Sequence, residues 1–127
     1  MKKEKIHIEY VFDNASRINL WNYIGTSVGL AEWFADDVVA DGKIFTFTWN
    51  KHSMDAEVTG INPNIYIRFR WLDEVNHNVY FEFRLQKNEL TNSLMLEITD
   101  FAEPNEKEAS ITLWNTQAKN LRRLLGL

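Results

Sequence analysis

The side chains able to do chemistry in this chain are few, and their spacing argues against most reactions. His7, His52 and His77 are its histidines. They fall on different strands or turns, and no two stand at a spacing that brings both imidazoles to one ion, so no metal site is expected. Asp36, Asp37 and Asp41 cluster locally. They lack the full pattern of a calcium loop and read as carboxylates that solvate a turn. There is no cysteine, which removes disulfides, thiolate metal ligation and cysteine nucleophiles together. Neither a G-x-S-x-G nucleophile elbow nor a glycine-rich phosphate loop occurs. Asp100 is the carboxylate whose parity matters. It continues the series Leu94, Leu96, Ile98 and so points inward at a strand's end, although such a residue more often caps a turn. With Gln117 and His77 it completes the inventory for acid–base work. That inventory favours a protein that is not an enzyme and needs no cofactor.

What the chain has in quantity is aromatic surface. Aromatic residues make up 13% of it, and they alternate along strand-like segments rather than scatter. Phe47, Trp49, Met54, Phe69, Trp71, Phe81 and Phe83 share one face, and Trp114, Gln117 and Ala118 are the helix positions expected to meet it. Such a face can line a pocket, because apolar ligand sites are walled by aromatic groups with few polar ones. It can equally fill a core, because large rings bury much area. Ala56 and Ala118, small among bulky neighbours, are where space would open. Gln117 and Ser110 interrupt the apolar arc of the helix. A buried amide left unpaired costs roughly 1–3 kcal/mol, so it needs a ligand, a carbonyl or a water. Trp33-Phe34 follows a glycine-containing helical turn, which makes the pair either a lid over one end of a cavity or a plug in the core.

These residues are positioned by a regular succession of elements. Residues 5–12 alternate, with Ile6, Ile8, Tyr10 and Phe12 on one face. Capping residues around Ser16 predict a short helix through Ile24, stopped by Gly25. A second, covering Ser27 to Phe34, is predicted to be broken by Gly29. From Val38 onward the pattern is strand, with a turn at Asp41-Gly42. Shared apolar faces across each turn predict a meander. The expected registers set Trp49 opposite Met54, Val58 opposite Ile65, Phe69 opposite Val79 and Leu85 opposite Leu94. The chain closes with a helix over residues 106–125, whose stripe is Ile111, Trp114, Ala118, Leu121 and Leu125.

Strand, two short helices, a run of antiparallel strands and a long closing helix is the order of the helix-grip fold. Leu20-Trp21-Asn22-Tyr23-Ile24, then Leu30-Ala31-Glu32-Trp33-Phe34, resemble the opening stretch of START-like domains related to the activator of heat-shock-protein ATPase and to polyketide cyclases. Leu113-Trp114-Asn115 through Leu124-Leu125 is similar to that family's closing helix. Only Asp41-Gly42-Lys43-Ile44-Phe45 stands where the family often has a double-glycine turn. The resemblance implies an α+β fold in which a curved antiparallel sheet of six or seven strands wraps the C-terminal helix, with residues 1–127 as one domain.

At 127 residues a chain can bury a core without staples. Its net charge of −4 argues against a nucleic-acid partner. Arg122-Arg123 suits the end of a helix, where cations complement the dipole. No signal peptide or membrane-inserted segment is read, so a cytoplasmic location is expected. The leading expectation is non-enzymatic binding of an apolar small molecule, such as a lipid, isoprenoid or polyketide-like compound, between sheet and helix. The alternative is a co-chaperone-type interaction module with a filled core, working on a protein partner or as a homodimer. A small cyclase or hydrolase stands third.

Overall fold

The alternating segments pair into one curved, seven-stranded antiparallel sheet in the computed structural model, which describes residues 2–127. The strands are β1 (Glu4–Phe12), β2 (Asp37–Asp41), β3 (Ile44–Trp49), β4 (His52–Asn62), β5 (Tyr66–Trp71), β6 (Phe81–Lys87) and β7 (Leu94–Ala102). Strands β2 to β7 run as a meander, and β1 joins its far edge by pairing with β7. Helices α1 (Arg17–Ile24) and α2 (Ser27–Trp33) follow β1. A short 3-10 turn at Pro104–Glu106 leads into α3 (Lys107–Leu124).

All four hairpin registers differ from the expected ones, and in three of the connections the reason is the same. Those turns fall on asparagines that accept a left-handed backbone. Asn50 and Lys51 have φ of 48° and 67°, the conformation a two-residue hairpin needs, so Phe47 rather than Trp49 faces Met54, and Trp49 faces His52. Asn64 and Asn92 have φ of 68° and 61° in the β4–β5 and β6–β7 connections. Phe69 consequently pairs with Val58, and Leu85 with Leu96. Across the longer β5–β6 loop Phe69 pairs with Phe81. Ile65 and Val79 lie outside the strands. Each slip is by an even number of residues, which preserves the inward face. The exception is a bulge between Val58 and Gly60, beyond which Ile61 turns to solvent.

Local capping explains the short helices. Ser16 Oγ accepts from Asn19 N at 2.9 Å and Thr26 Oγ1 from Gly29 N at 3.0 Å, each satisfying an N–H the helix itself leaves free. Gly29 does not break α2. It is required by close approach, because a Cβ there would lie 1.9 Å from the Asn22 carbonyl oxygen. Leu20, Ile24 and Leu30 carry both helices onto the sheet and are fully buried. Helix α3 buries Trp114, Ala118 and Leu121, and its main neighbours are β1, β7 and α2. It therefore covers one side of the sheet's inner face.

The outer face is less plainly solvated than alternation suggests. Glu82 is only 6% exposed, directly opposite Arg68 in the ladder. Arg68 and Arg84 both reach its carboxylate, at 2.9 and 3.2 Å. Their guanidinium groups stack on Tyr80 and Tyr66, which adds a cation–π contact to each ion pair.

Candidate functional site

Most of the inward aromatic face is packed solid. Phe47, Phe69 and Phe83 have no exposed surface. Phe69 stacks on Phe81 at 4.9 Å between ring centroids, and Phe47 meets Phe69 edge-on at 5.6 Å. Ala118 is buried beneath α3. Met54 lies elsewhere, half-buried in a separate pocket with His52, Asp55 and Leu72. Trp33 is held in the core by an indole N–H donated to the Tyr23 carbonyl at 2.8 Å.

Space remains at one end, between the sheet and α3, as a cleft of about 280 Å³. Trp49, Trp71 and Phe81 wall it from the strands, and Ser110, Leu113, Trp114 and Gln117 from α3. Phe34, just beyond α2, is its inner wall and is 5% exposed. This ring stacks on Trp114 at 5.5 Å and lies edge-on to Trp49 at 5.3 Å. Its backbone is pinned as firmly. The Phe34 carbonyl accepts from Gln117 Nε2 at 3.0 Å and from Trp49 Nε1 at 2.9 Å, which ties α2, α3 and β3 together. The polar residue in the helix arc thus finds a carbonyl as partner.

Asp100 closes the cleft at the end of β7. Its Oδ1 accepts from the Phe101 backbone N–H at 2.8 Å and its Oδ2 from Trp114 Nε1 at 3.0 Å. Burial pushes its pKa above the ordinary 3.8; the two hydrogen bonds and the nearby Lys3 ammonium oppose that shift without cancelling it. It is the one ionisable side chain lining the cleft among the described residues. His77 lies in the loop between β5 and β6 and does not join it.

A wider, more polar groove of about 590 Å³ runs between α2 and α3 and shares Phe34, Trp49, Leu113 and Gln117 with the cleft. On the outer face, pairing of β1 with β7 sets Glu9 directly opposite Glu97. With His7 they place three potential ligand atoms within 4.8 Å of one another. No single-segment spacing reveals this cluster, because it is made by strands from opposite ends of the chain.

The sheet, the closing helix and the aromatic cleft between them define a START-like domain, and residues 1–127 match the model of the START-like superfamily domain. The chain belongs to that family. BfR322 from Bacteroides fragilis, known from a solution structure, is 46% identical over 98% of this chain and 92% of its own, with a TM-score of 0.68. The Aha1 dimer from Colwellia psychrerythraea is 21% identical over 96% of both chains, with a TM-score of 0.77. DynU16, a protein of the dynemicin biosynthetic locus, is 16% identical over 96% of this chain and 47% of its own, with a TM-score of 0.76. At those two identities the likeness is one of fold. No curated protein matches the sequence, and no helix among the described residues is long and apolar enough to cross a membrane.

Proposed function

We propose that this START-like domain binds an apolar small molecule, of lipid, isoprenoid or polyketide-like kind, in the cleft between the sheet and α3, and does no chemistry on it. The observation that carries the reading is the cleft wall: five aromatic rings and Leu113 around an opening, interrupted by three polar side chains. Burial of apolar ligand surface there is worth roughly 25 cal/mol per Å² before the costs of association. A lone carboxylate, with no second acid or base lining the cleft among the described residues, supports carriage rather than turnover. Native mass spectrometry of the purified protein, followed by titration with a medium-chain alcohol while tryptophan emission is recorded, tests it. A co-purified ligand or a saturable emission change from Trp49 and Trp71 is expected. The absence of both would refute it.

One observation favours a second reading, an interaction module that works on a protein partner or a second copy. The centre of the interior is filled, while Leu113 and Leu124 stand 59% and 40% exposed along the groove between α2 and α3. Association through that groove makes apparent mass depend on concentration, and Leu113→Ser abolishes the dependence. A monomer at all concentrations, with no partner protecting the groove from hydrogen exchange, counts against it.

A further inference from the structure

The chemistry of the cleft wall is one-sided. Trp49, Trp71, Phe81, Phe34 and Trp114 form a continuous series of rings, with centroid separations of 6.1, 4.9, 5.7 and 5.5 Å along it. Two of the three indole N–H groups are already used inside the protein, Trp49 on the Phe34 carbonyl and Trp114 on Asp100. Those two donors are spent, and beside the ring carbon the cleft keeps the Trp71 indole N–H, the Ser110 hydroxyl and the Gln117 amide. Against that wall stands one carboxylate, Asp100, and no Lys, Arg or His lines the cleft among the described residues. The amine nearest to supplying a counter-charge is Lys3, and it is bound to Glu74 at 2.6 Å.

From this we infer that the cleft selects a hydrophobic organic cation, an amine or quaternary ammonium carrying an apolar body, with the charge held between the aromatic rings and the Asp100 carboxylate. The inference rests on the small-molecule reading above and narrows it. A neutral apolar ligand closing the cleft would strip water from Asp100 and leave its charge unpaired, which is costly. An anionic ligand would add repulsion and find few donors. A cation supplies the missing charge and meets ring faces, whose negative quadrupole attracts it most strongly when water is excluded. Burial already disfavours the ionised form of Asp100, so an ammonium there also holds the carboxylate in its charged state.

The test compares benzyltrimethylammonium with neopentylbenzene, its uncharged carbon isostere, on the full chain near pH 7. Binding is read from tryptophan emission and from the side-chain N–H resonances of Trp49, Trp71 and Trp114. The cation is expected to bind about tenfold more tightly, in keeping with a desolvated cation–π site beside a carboxylate. In Asp100→Asn the ratio of the two affinities falls several-fold, to what the rings alone contribute. Trp71→Leu, which removes a half-exposed ring, weakens the cation several-fold. Should Asp100→Asn fail to fold, the pH dependence of the wild-type protein serves instead. The ligand's charge is permanent, so acidification that protonates Asp100 must lower the preference by the same factor as Asp100→Asn. The charged groups facing Asp100 are Lys3 and, through that amine, Glu74 and Glu103, and the Lys3→Met variant separates their contribution. Equal affinity for cation and isostere would overturn the cation inference while leaving an apolar pocket standing. Binding of neither probe would overturn both.

Discussion

Trp114→Phe is the substitution that most directly weighs the contact at the end of the cleft. The indole N–H donates to Asp100 Oδ2 at 3.0 Å, from a side chain only 5% exposed. A hydrogen bond to a charged acceptor contributes about 1.5–3 kcal/mol, and shrinking the ring adds about 1 kcal/mol of lost packing against Phe34 and Phe83. The expected loss of stability near pH 7 is therefore about 2.5–4 kcal/mol. Its pH dependence has a definite sign. Burial places the native Asp100 pKa above 3.8, and the Trp114 hydrogen bond is one of the influences that pull it back down. Removing the donor raises the native value further. Because the native state then binds the proton more tightly than the unfolded chain, acidification favours the variant relative to wild type. The penalty shrinks by about 1 kcal/mol as pH falls through the two native pKa values, because a neutral acceptor keeps only the weaker bond. Urea unfolding followed by far-ultraviolet circular dichroism at neutral and acid pH measures this directly, with the same substitution repeated in an Asp100→Asn background. A penalty that is the same at both pH values, or undiminished when Asp100→Asn supplies a neutral amide as the acceptor, would refute the reasoning.

Three further outcomes follow from the packing. Glu82→Ala leaves Arg68 and Arg84 without their shared carboxylate; because both guanidinium groups reach solvent, with 39% and 31% of their side chains exposed, the cost is about 1–2 kcal/mol rather than that of a wholly buried pair, read as a shift in urea midpoint. Gly29→Ala drives a Cβ against the Asn22 backbone and costs about 3 kcal/mol or more, whereas Gly42→Ala, in open space at φ 59°, costs only about 1 kcal/mol of backbone strain; thermal melts separate the two. Phe34→Ala removes the ring that divides the cleft from the groove along α2, lowering stability by about 3–5 kcal/mol while admitting a bulkier apolar probe than the wild-type protein accepts in the same titration.

The inward face of this sheet is legible in the sequence, and the pairings across it are not. Side-chain direction repeats every two residues, so alternation fixes which residues face the core but is blind to a slip of two. The register depends instead on where the chain turns. In three of the hairpins that is decided by asparagines taking positive φ at Asn50, Asn64 and Asn92, a weaker signal than the glycine at Asp41-Gly42. Gly29 misleads for a related reason. Its poor helix propensity points to a break, while the contact that requires it, against the Asn22 carbonyl, comes from a neighbouring helix. Asp100 can be placed by parity, since it continues the inward series of β7. Its hydrogen bond to Trp114 joins a strand to a helix and has no trace in either segment alone.

Geometry explains why the interior is full in one place and open in another. Strands about 4.8 Å apart make a seven-stranded sheet about 29 Å wide, and a helix with its side chains is about 10 Å across. One helix cannot cover such a face. Helix α3 lies on the β1–β7 side, and α1 and α2 carry Leu20, Ile24, Leu30 and Phe34 over much of the remainder. The uncovered strip falls where Trp49 and Trp71 stand half-buried on β3 and β5. Filling it would take more large apolar side chains on the facing turns of α3, yet beside Trp114, which is already stacked on Phe34, the residues there are Ser110, Leu113 and Gln117. The first is small, the second is turned largely to solvent, and the third is committed to the Phe34 carbonyl. A larger apolar side chain at position 110 would narrow the cleft that it lines together with Trp49 and Trp71. Serine there leaves the strip between the tryptophans and α3 open to solvent.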